Sequence, residues 1–317
     1  SFKHVSPAGA AIAVKCDNNR GLSALASAYS RARGADRVSS FGDWIALSDN
    51  VDIETARLVR REVSDGVIAP GFDQDAFELL RAKQNGRYCM LQIDKSYVPP
   101  SVEKREVYGV TLTQTLNSHL ATDSDLTNVQ TQQQEIPNQA KRDLILALTT
   151  LKFTQSNSIC LAVDGQIIGV GAGQQSRIHC TRLACSKADI WFLRQHPTVE
   201  GLQFREGLGR PEKDNAIDGF LREDLSPAEQ DIWAKNFSNP PARLSSLERL
   251  EWLRGMDGVS MASDAFIPFR DNVDRAAMSG VRYIVQPGGS VRDEDIIEAC
   301  DQYGIAMAFS GFRLFHH

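Results

Sequence analysis

The sequence has no surplus of positive charge: 35 lysines and arginines stand against 40 aspartates and glutamates, a formal net charge of −5. No overall basic field is available to collect phosphate backbones, so general nucleic-acid binding is disfavoured. Long apolar runs are missing too. No window approaches the roughly 20 consecutive apolar residues of a membrane helix, and no membrane partner is expected. Cysteine is scarce and unpatterned. Cys16, Cys89, Cys160, Cys180, Cys185 and Cys300 show no Cys-x-x-Cys spacing, which in a chain this long reads as reduced thiols in a cytosolic protein. Position 1 is Ser rather than Met, and the apolar stretch Ala8–Val14 lacks the length and flanks of a secretory signal. The true start is expected upstream of Ser1.

What is present is an ordinary globular composition, 42 % apolar and 24 % charged over 317 residues, enough for about two domains. Strand-like and helix-like periods alternate, which points to an α/β fold. Towards the C-terminus, Asp264–Phe269, Val281–Val285 and Ile305–Phe309 read as strands and Asn272–Met278 and Asp293–Gln302 as helices, punctuated by glycines. The early region has the same style. Asp52 caps a helix over Ile53–Glu62, Gly66–Ala69 is an apolar strand, Pro70–Gly71 turns, and Asp73 caps another helix. Two similar halves are expected, without a repeat in sequence. Pro99–Pro100 marks the boundary between a first unit over 1–100 and a second over 101–317, and the polar stretch Thr122–Pro137 reads as surface loop. Leu144–Leu151 belongs to a helix apolar around much of its circumference, hence buried. Ser158–Val163 and Gln166–Gly171 flank Asp164–Gly165, a dipeptide that accepts the positive φ of a tight hairpin turn, and a helix begins near Ser176.

Several residue groups carry chemistry. Gly169-Val170-Gly171-Ala172-Gly173 is not a dinucleotide fingerprint, because the third glycine of G-x-G-x-x-G would fall at Gln174 and the run follows a hairpin. These small residues either let a ligand approach the N-terminus of the helix carrying Arg177 or make a tight strand-to-helix turn, the favoured reading. Lys3-His4, before Pro7 and Gly9, sets a cation beside an imidazole at a strand-to-helix turn. That pairing suits acyl-type transfer, the imidazole taking a proton while the ammonium steadies developing negative charge. The plain alternative is a surface lysine and a satisfied core histidine. His179, Cys180 and Cys185 lack the ligand set of structural zinc, and no His-x-Glu with a Pro-Cys-x-x-Cys partner exists for a deaminase zinc, so no zinc is expected. Thr154, Ser156 and Ser158 offer neutral oxygens, either for a weak monovalent cation or for backbone groups. Arg31, Arg33 and Arg37 read as a solvated helix face. Arg313-Leu314-Phe315-His316-His317 closes the chain with a cation and an aromatic two apart, a tail that suggests burial or a ligand contact.

Taken together, the segments Ser1–Ala10, Arg31–Arg37, Ser39–Asp43, Thr154–Ser158, Gly171–Arg182, Ser263–Phe266, Phe269–Asn272 and Arg313–His317 closely resemble one family. It is the transformylase part of the bifunctional purine biosynthesis family, in which 5-aminoimidazole-4-carboxamide ribonucleotide (AICAR) formyltransferase is joined to IMP cyclohydrolase. The resemblance runs from Ser1 to His317. It implies two cytidine-deaminase-like α/β subdomains without the deaminase zinc, and a reaction in which the AICAR 5-amino group takes the formyl group of the cosubstrate 10-formyltetrahydrofolate. It further implies His4 as the proton-transfer residue, Lys3 near the pterin and the formyl group, and Asn157 as the polar partner of the formyl oxygen and substrate amine. Gly42, Asp65, Arg177, Phe266, Arg313 and Phe315 match nucleotide-binding positions, with Arg313 set for the 5′-phosphate because a guanidinium pairs with it bidentately. Val38, Ile178, Pro268, Phe269, Asp271 and Asn272 match the folate side. The family also implies a potassium ion near Thr154, Ser156, Ser158 and Asp264. Its active site is shared across a homodimer, with the Lys-His segment from one subunit and the Asn, Arg and C-terminal aromatic elements from the other.

Two departures accompany the matches. Nothing here corresponds to the cyclohydrolase domain or to the first part of the transformylase domain, which supplies an Arg-Tyr pair and an Asn. The stretch from Val14 to Ala24 is also short for the family, so no role carries over to Lys15–Leu25. A folate-dependent formyltransferase leads; a non-catalytic purine-nucleotide-binding module and a dimerisation scaffold with a decayed site are the competing readings.

Overall fold

A computed structural model describes residues 1–14 and 21–316; Cys16, His317 and most of the short stretch after Val14 lie outside them. The first half is built on β1 (Phe2–Lys3), β2 (Ser6–Pro7), β3 (Asp43–Ala46), β4 (Ser64–Ala69) and β5 (Cys89–Gln92), with α1 (Ala24–Gly34), α2 (Ile53–Arg61) and α3 (Gln74–Arg81) between strands. The sheet order is β2-β1-β3-β4-β5, with β1 antiparallel to both neighbours and β3, β4 and β5 parallel. Parallel neighbours need crossovers, and α2 and α3 supply them. Asp52 caps α2 by accepting from the Thr55 N–H at 2.7 Å.

After β6 (Val102–Val107) and β7 (Val110–Thr115), a separate two-stranded sheet, the second half opens with α4 (Asn138–Leu151). It continues through β8 (Ile159–Val163), β9 (Gln166–Gly171) and α5 (Arg177–Leu193), then α6 (Pro197–Glu200), α7 (Arg210–Leu221), α8 (Pro227–Ala234) and α9 (Ser246–Leu253). It closes with β10 (Val259–Ser263), α10 (Asp271–Met278), β11 (Val281–Gln286), α11 (Asp293–Tyr303) and β12 (Ala306–Phe309). Its sheet runs β9-β8-β10-β11-β12, again a hairpin followed by three parallel strands. The two halves therefore share one plan, a hairpin and then alternating helices and strands, and α6–α9 interrupt the second copy. The repeat lies in the order and direction of the elements.

Each sheet buries apolar side chains against its helices. Tyr29, Ile45, Val59, Val67 and Leu80 form the first core, whereas the other face of that sheet leaves Trp44 and Leu91 39 % and 45 % exposed. The second sheet is covered on both sides: Ile159, Leu161 and Met261 pack with α5, α10 and α11, and Cys160, Ala162 and Ala262 pack with Leu144, Leu148 and Leu151 of α4, the buried helix expected from its pattern. A smaller cluster around Phe220, Leu221 and Phe237 holds α6–α8 together. No helix among the described residues is long and apolar enough to cross a membrane.

Four expectations need correction. Asp264–Phe269 is a loop, and the strand lies before it at Val259–Ser263; the Asp264 side chain accepts from the Ser158 N–H and the Ile267 N–H donates to the Gln286 side chain instead of a ladder. Lys3-His4 sits at a hairpin, not a strand-to-helix turn, because β2 pairs straight back on β1. Thr122–Pro137 is not wholly surface: Leu126, Thr131 and Ile136 are buried, and Val129 bridges to Ala308. Arg33 is no solvated residue. It is buried and its guanidinium pairs with Asp43 at 2.6 Å, while Arg31 donates to the Ile12 carbonyl at 2.9 Å.

Candidate functional site

The first group of nominated residues is organised by the β1–β2 hairpin. Lys3 ends β1, and its ammonium donates to the Phe41 and Gly42 carbonyls at 2.7 and 3.2 Å. An ammonium has three donors, so one remains for a ligand. His4 follows in the turn with φ +54°, is exposed, and makes no hydrogen bond to a described residue. Gly42 adopts φ +71°, and a Cβ there would lie 3.0 Å from Lys3 Nζ and 3.7 Å from Asp65 Oδ1. The left-handed backbone favours glycine here, and a larger residue would also crowd the end of the Lys3 side chain. Lys3, Gly42 and Asp65 meet at one spot.

The second group is centred on Asp264, whose side chain is wholly buried. It pairs with the Arg177 guanidinium at 2.5 Å and accepts from the Ser156 hydroxyl at 2.5 Å and the Ser158 N–H at 3.1 Å. Arg177 also donates to the Ser158 carbonyl and to the Asn157 side-chain oxygen, each at 2.9 Å. The Asn157 amide nitrogen donates to the Gln174 carbonyl at 2.9 Å, so both ends of that side chain are oriented. Cys180 donates its thiol proton to the Asn157 carbonyl at 3.2 Å; burial pushes this thiol up to about 12, so it stays a donor and is no nucleophile. Nothing in the spacing nominated Cys180 or Gln174 as supports, because both act through side chains or carbonyls that fold back from α5 and its approach.

Around this centre lie the aromatic and folate-side residues. The Arg313 guanidinium stands 5.8 Å from the ring centroids of both Phe266 and Phe315. The C-terminal tail is docked: the Leu314 N–H donates to the Asp264 carbonyl at 2.9 Å, and His316 and Ser156 exchange hydrogen bonds of 3.0 and 2.9 Å. Phe269 is exposed beneath Arg292, whereas Asn272 is buried, accepting from Thr181 at 2.7 Å. Pro268, Asp271 and Ile178 are half-buried nearby in sequence to these anchors. Val38 is exposed on a cleft of about 580 Å³ lined also by Arg37, Phe41, Arg61 and Arg210, between α1, α2 and α7.

The two groups are neighbours within one chain. Ser6, two residues after His4, accepts from the N–H of Gln155, two before Asn157, at 3.2 Å. A separate apolar cleft of about 390 Å³, lined by Phe2, Leu25, Tyr29, Leu47, Leu146 and Phe153, holds none of the nominated residues. Gly169 and Gly171 serve packing: a Cβ on either would come within 2.1 and 2.3 Å of the Ala184 and Cys180 carbonyls of α5. His179 is exposed, and no cluster of three potential metal ligands of the His, Cys, Asp and Glu types occurs among the described residues.

A family model described as AICARFT/IMPCHase bienzyme matches residues 1–187, more than half of the chain. The chain belongs to this family. The match covers the first sheet, α4, the β8–β9 hairpin and the start of α5. The bifunctional purine biosynthesis protein PurH of Lactobacillus acidophilus is 34 % identical over 317 residues, covering 100 % of this chain and 47 % of that protein. Its counterpart in Magnetococcus marinus is 33 % identical over 321 residues, covering 99 % of this chain and 47 % of that protein. The chain thus spans about half the length of these curated relatives.

Proposed function

We propose that this chain carries the AICAR formyltransferase activity of a purine-biosynthetic enzyme, on two cytidine-deaminase-like units divided near residue 100. The main support is the Asn157 carboxamide, oriented at both ends by Arg177 and the Gln174 carbonyl, in a loop whose Gln155 N–H donates to Ser6 of the Lys3-His4 hairpin. The shared strand order of the two sheets supports the paired-unit reading. Kinship with two PurH proteins supports the pathway.

In the proposed reaction AICAR lies with its ring near Phe266 and Phe315 and its phosphate on Arg313. Its 5-amino group is a weak nucleophile because the lone pair is delocalised into the ring and carboxamide. Attack on the formyl carbon of 10-formyltetrahydrofolate forms the new N–C bond; His4, with the substrate carboxamide, takes the amine proton. Asn157 and the free donor of Lys3 steady the tetrahedral oxyanion. Breaking the bond from carbon to N10 releases tetrahydrofolate, with the proton returned to N10. Pro268, Phe269, Ile178 and Val38 would contact the pterin and aryl rings, and Asp271 and Asn272 would read pterin N–H groups. Ring closure to IMP is not assigned to these residues.

A potassium ion fits the Asp264 cluster in one respect: the Ser158 hydroxyl is buried there with no hydrogen-bond partner. Thr154, Ser156 and Ser158 oxygens with Asp264 would hold the ion, which would supply fixed positive charge beside the Asn157 loop. The enzyme would act as a homodimer, located in the cytosol, in which His4 of one subunit would serve Asn157 of the other, although the two segments also touch within one chain through Ser6 and Gln155. The test follows tetrahydrofolate appearance with AICAR and 10-formyltetrahydrofolate for the wild type and His4→Ala. Turnover lost in His4→Ala with AICAR binding retained supports the mechanism; turnover surviving it removes His4 from the reaction. A wild type that binds AICAR without turnover selects the non-catalytic module.

A further inference from the structure

β6 and β7 form a sheet of two strands only, and every residue of both is exposed. Their turn, Tyr108-Gly109, has φ of +48° and +79°, the left-handed pair of a type I′ hairpin. A lone hairpin is marginally stable in water, and each strand presents an open ladder edge. The two edges differ. β6 carries Glu103, Lys104, Arg105 and Glu106, the charges by which natural proteins blunt an edge. β7 reads Val110-Thr111-Leu112-Thr113-Gln114-Thr115, with no charge and no proline, and pairs with β6 without a bulge. Because Val107 and Val110 close the turn, Val110, Leu112 and Gln114 direct their main-chain groups to β6, and Thr111, Thr113 and Thr115 direct theirs to the open side.

We propose that β7 pairs antiparallel with β7 of a second copy of this chain about a two-fold axis, making a continuous four-stranded sheet. A two-fold axis pairs a strand with itself in this antiparallel sense. With Leu112 on the axis, Thr111 faces Thr113 of the partner subunit in hydrogen-bonded pairs, and the two leucines meet at the closer, non-hydrogen-bonded position. No like charges oppose each other, since every charge of the hairpin lies on β6. The alternative of β6 on β6, centred on Lys104 or on Arg105, would set that cation directly against its own copy on the axis. This inference rests on the homodimer reading above and adds where the copies join.

Light scattering across a concentration series, with oxidative cross-linking, tests it. The wild type should be a dimer that oxidation does not cross-link. Leu112→Cys should give a disulfide-linked dimer that reductant releases. Thr113→Pro removes an outward-facing N–H and spares the hairpin's own ladder, so it should raise the dimer dissociation constant about tenfold or more. Thr111→Lys, which sets charge at the joint, should weaken the dimer in the same direction. A dimer indifferent to both substitutions, with Leu112→Cys not cross-linked, overturns the β7 joint and leaves the homodimer reading standing. A wild type monomeric at every concentration overturns both.

Discussion

Arg177 and Asp264 pair inside the second half at 2.5 Å, with 6 % and 0 % of their side chains exposed. Removing one partner of such a pair leaves a buried charge uncompensated, which typically costs about 3–5 kcal/mol. Asp264→Ala should therefore lower stability by that order in urea unfolding, and also free the Ser156 hydroxyl and the Ser158 N–H. Asp264→Asn should lose less, because it keeps acceptor capacity. Equal stability of wild type and Asp264→Ala would mean that the pair contributes nothing.

Asp36 joins the two halves through Lys187 at 3.0 Å. Burial works against its charged form, but the Lys187 ammonium and the Ser39 hydroxyl and N–H outweigh it and hold its pKa below the ordinary value of 3.8. A depressed folded pKa means that the contribution is present above the unfolded value and is lost as pH falls through the folded one. The Tm difference between wild type and Asp36→Asn should be full above the ordinary carboxylate range and shrink as the pH falls below it through the depressed folded pKa. Lys187 is 31 % exposed, so the effect will be modest and reduced by salt. A difference that grows on acidification would contradict this sign.

Gly169 lies against the backbone of α5, where an added Cβ would meet the Ala184 carbonyl at 2.1 Å and the Ala188 nitrogen at 3.0 Å. Neither atom belongs to a flexible side chain. Gly169→Ala should destabilise by about 1–3 kcal/mol, the range for overpacking, as read by thermal melting. An unchanged Tm would return the glycine run to a ligand-binding role.

Arg313 is exposed between two rings, and in the proposed reaction it holds the AICAR phosphate. Arg313→Ala should raise KM for AICAR roughly tenfold or more through loss of a charge-assisted pair, with KM for the folate little changed. A rise confined to the folate would place Arg313 on the other substrate.

Much of the local structure was legible. The Asp52 cap, the Asp164-Gly165 turn, the buried stripe of α4 and the start of α5 at Arg177 each follow from neighbours within a few residues. The β6–β7 hairpin was not, since Tyr108-Gly109 lacks the usual Asn-Gly or Asp-Gly turn signal, and α6–α9 drew no expectation either. Asp264–Phe269 misled because its apolar residues sit in a loop whose backbone groups find side-chain partners.

By itself the amino-acid sequence determined the class of fold, the hairpin and most helix starts, and it held the family likeness that named His4, Asn157 and Arg313. Only the tertiary structure decided that Asp264 would reach Arg177, 87 residues away, and Ser158, 106 away. Local preferences act through adjacent backbone and nearby side chains, whereas the meeting of a carboxylate and a guanidinium depends on how two distant strands and a helix stack. That stacking is set by the burial of both faces of the second sheet, which no short stretch of chain encodes.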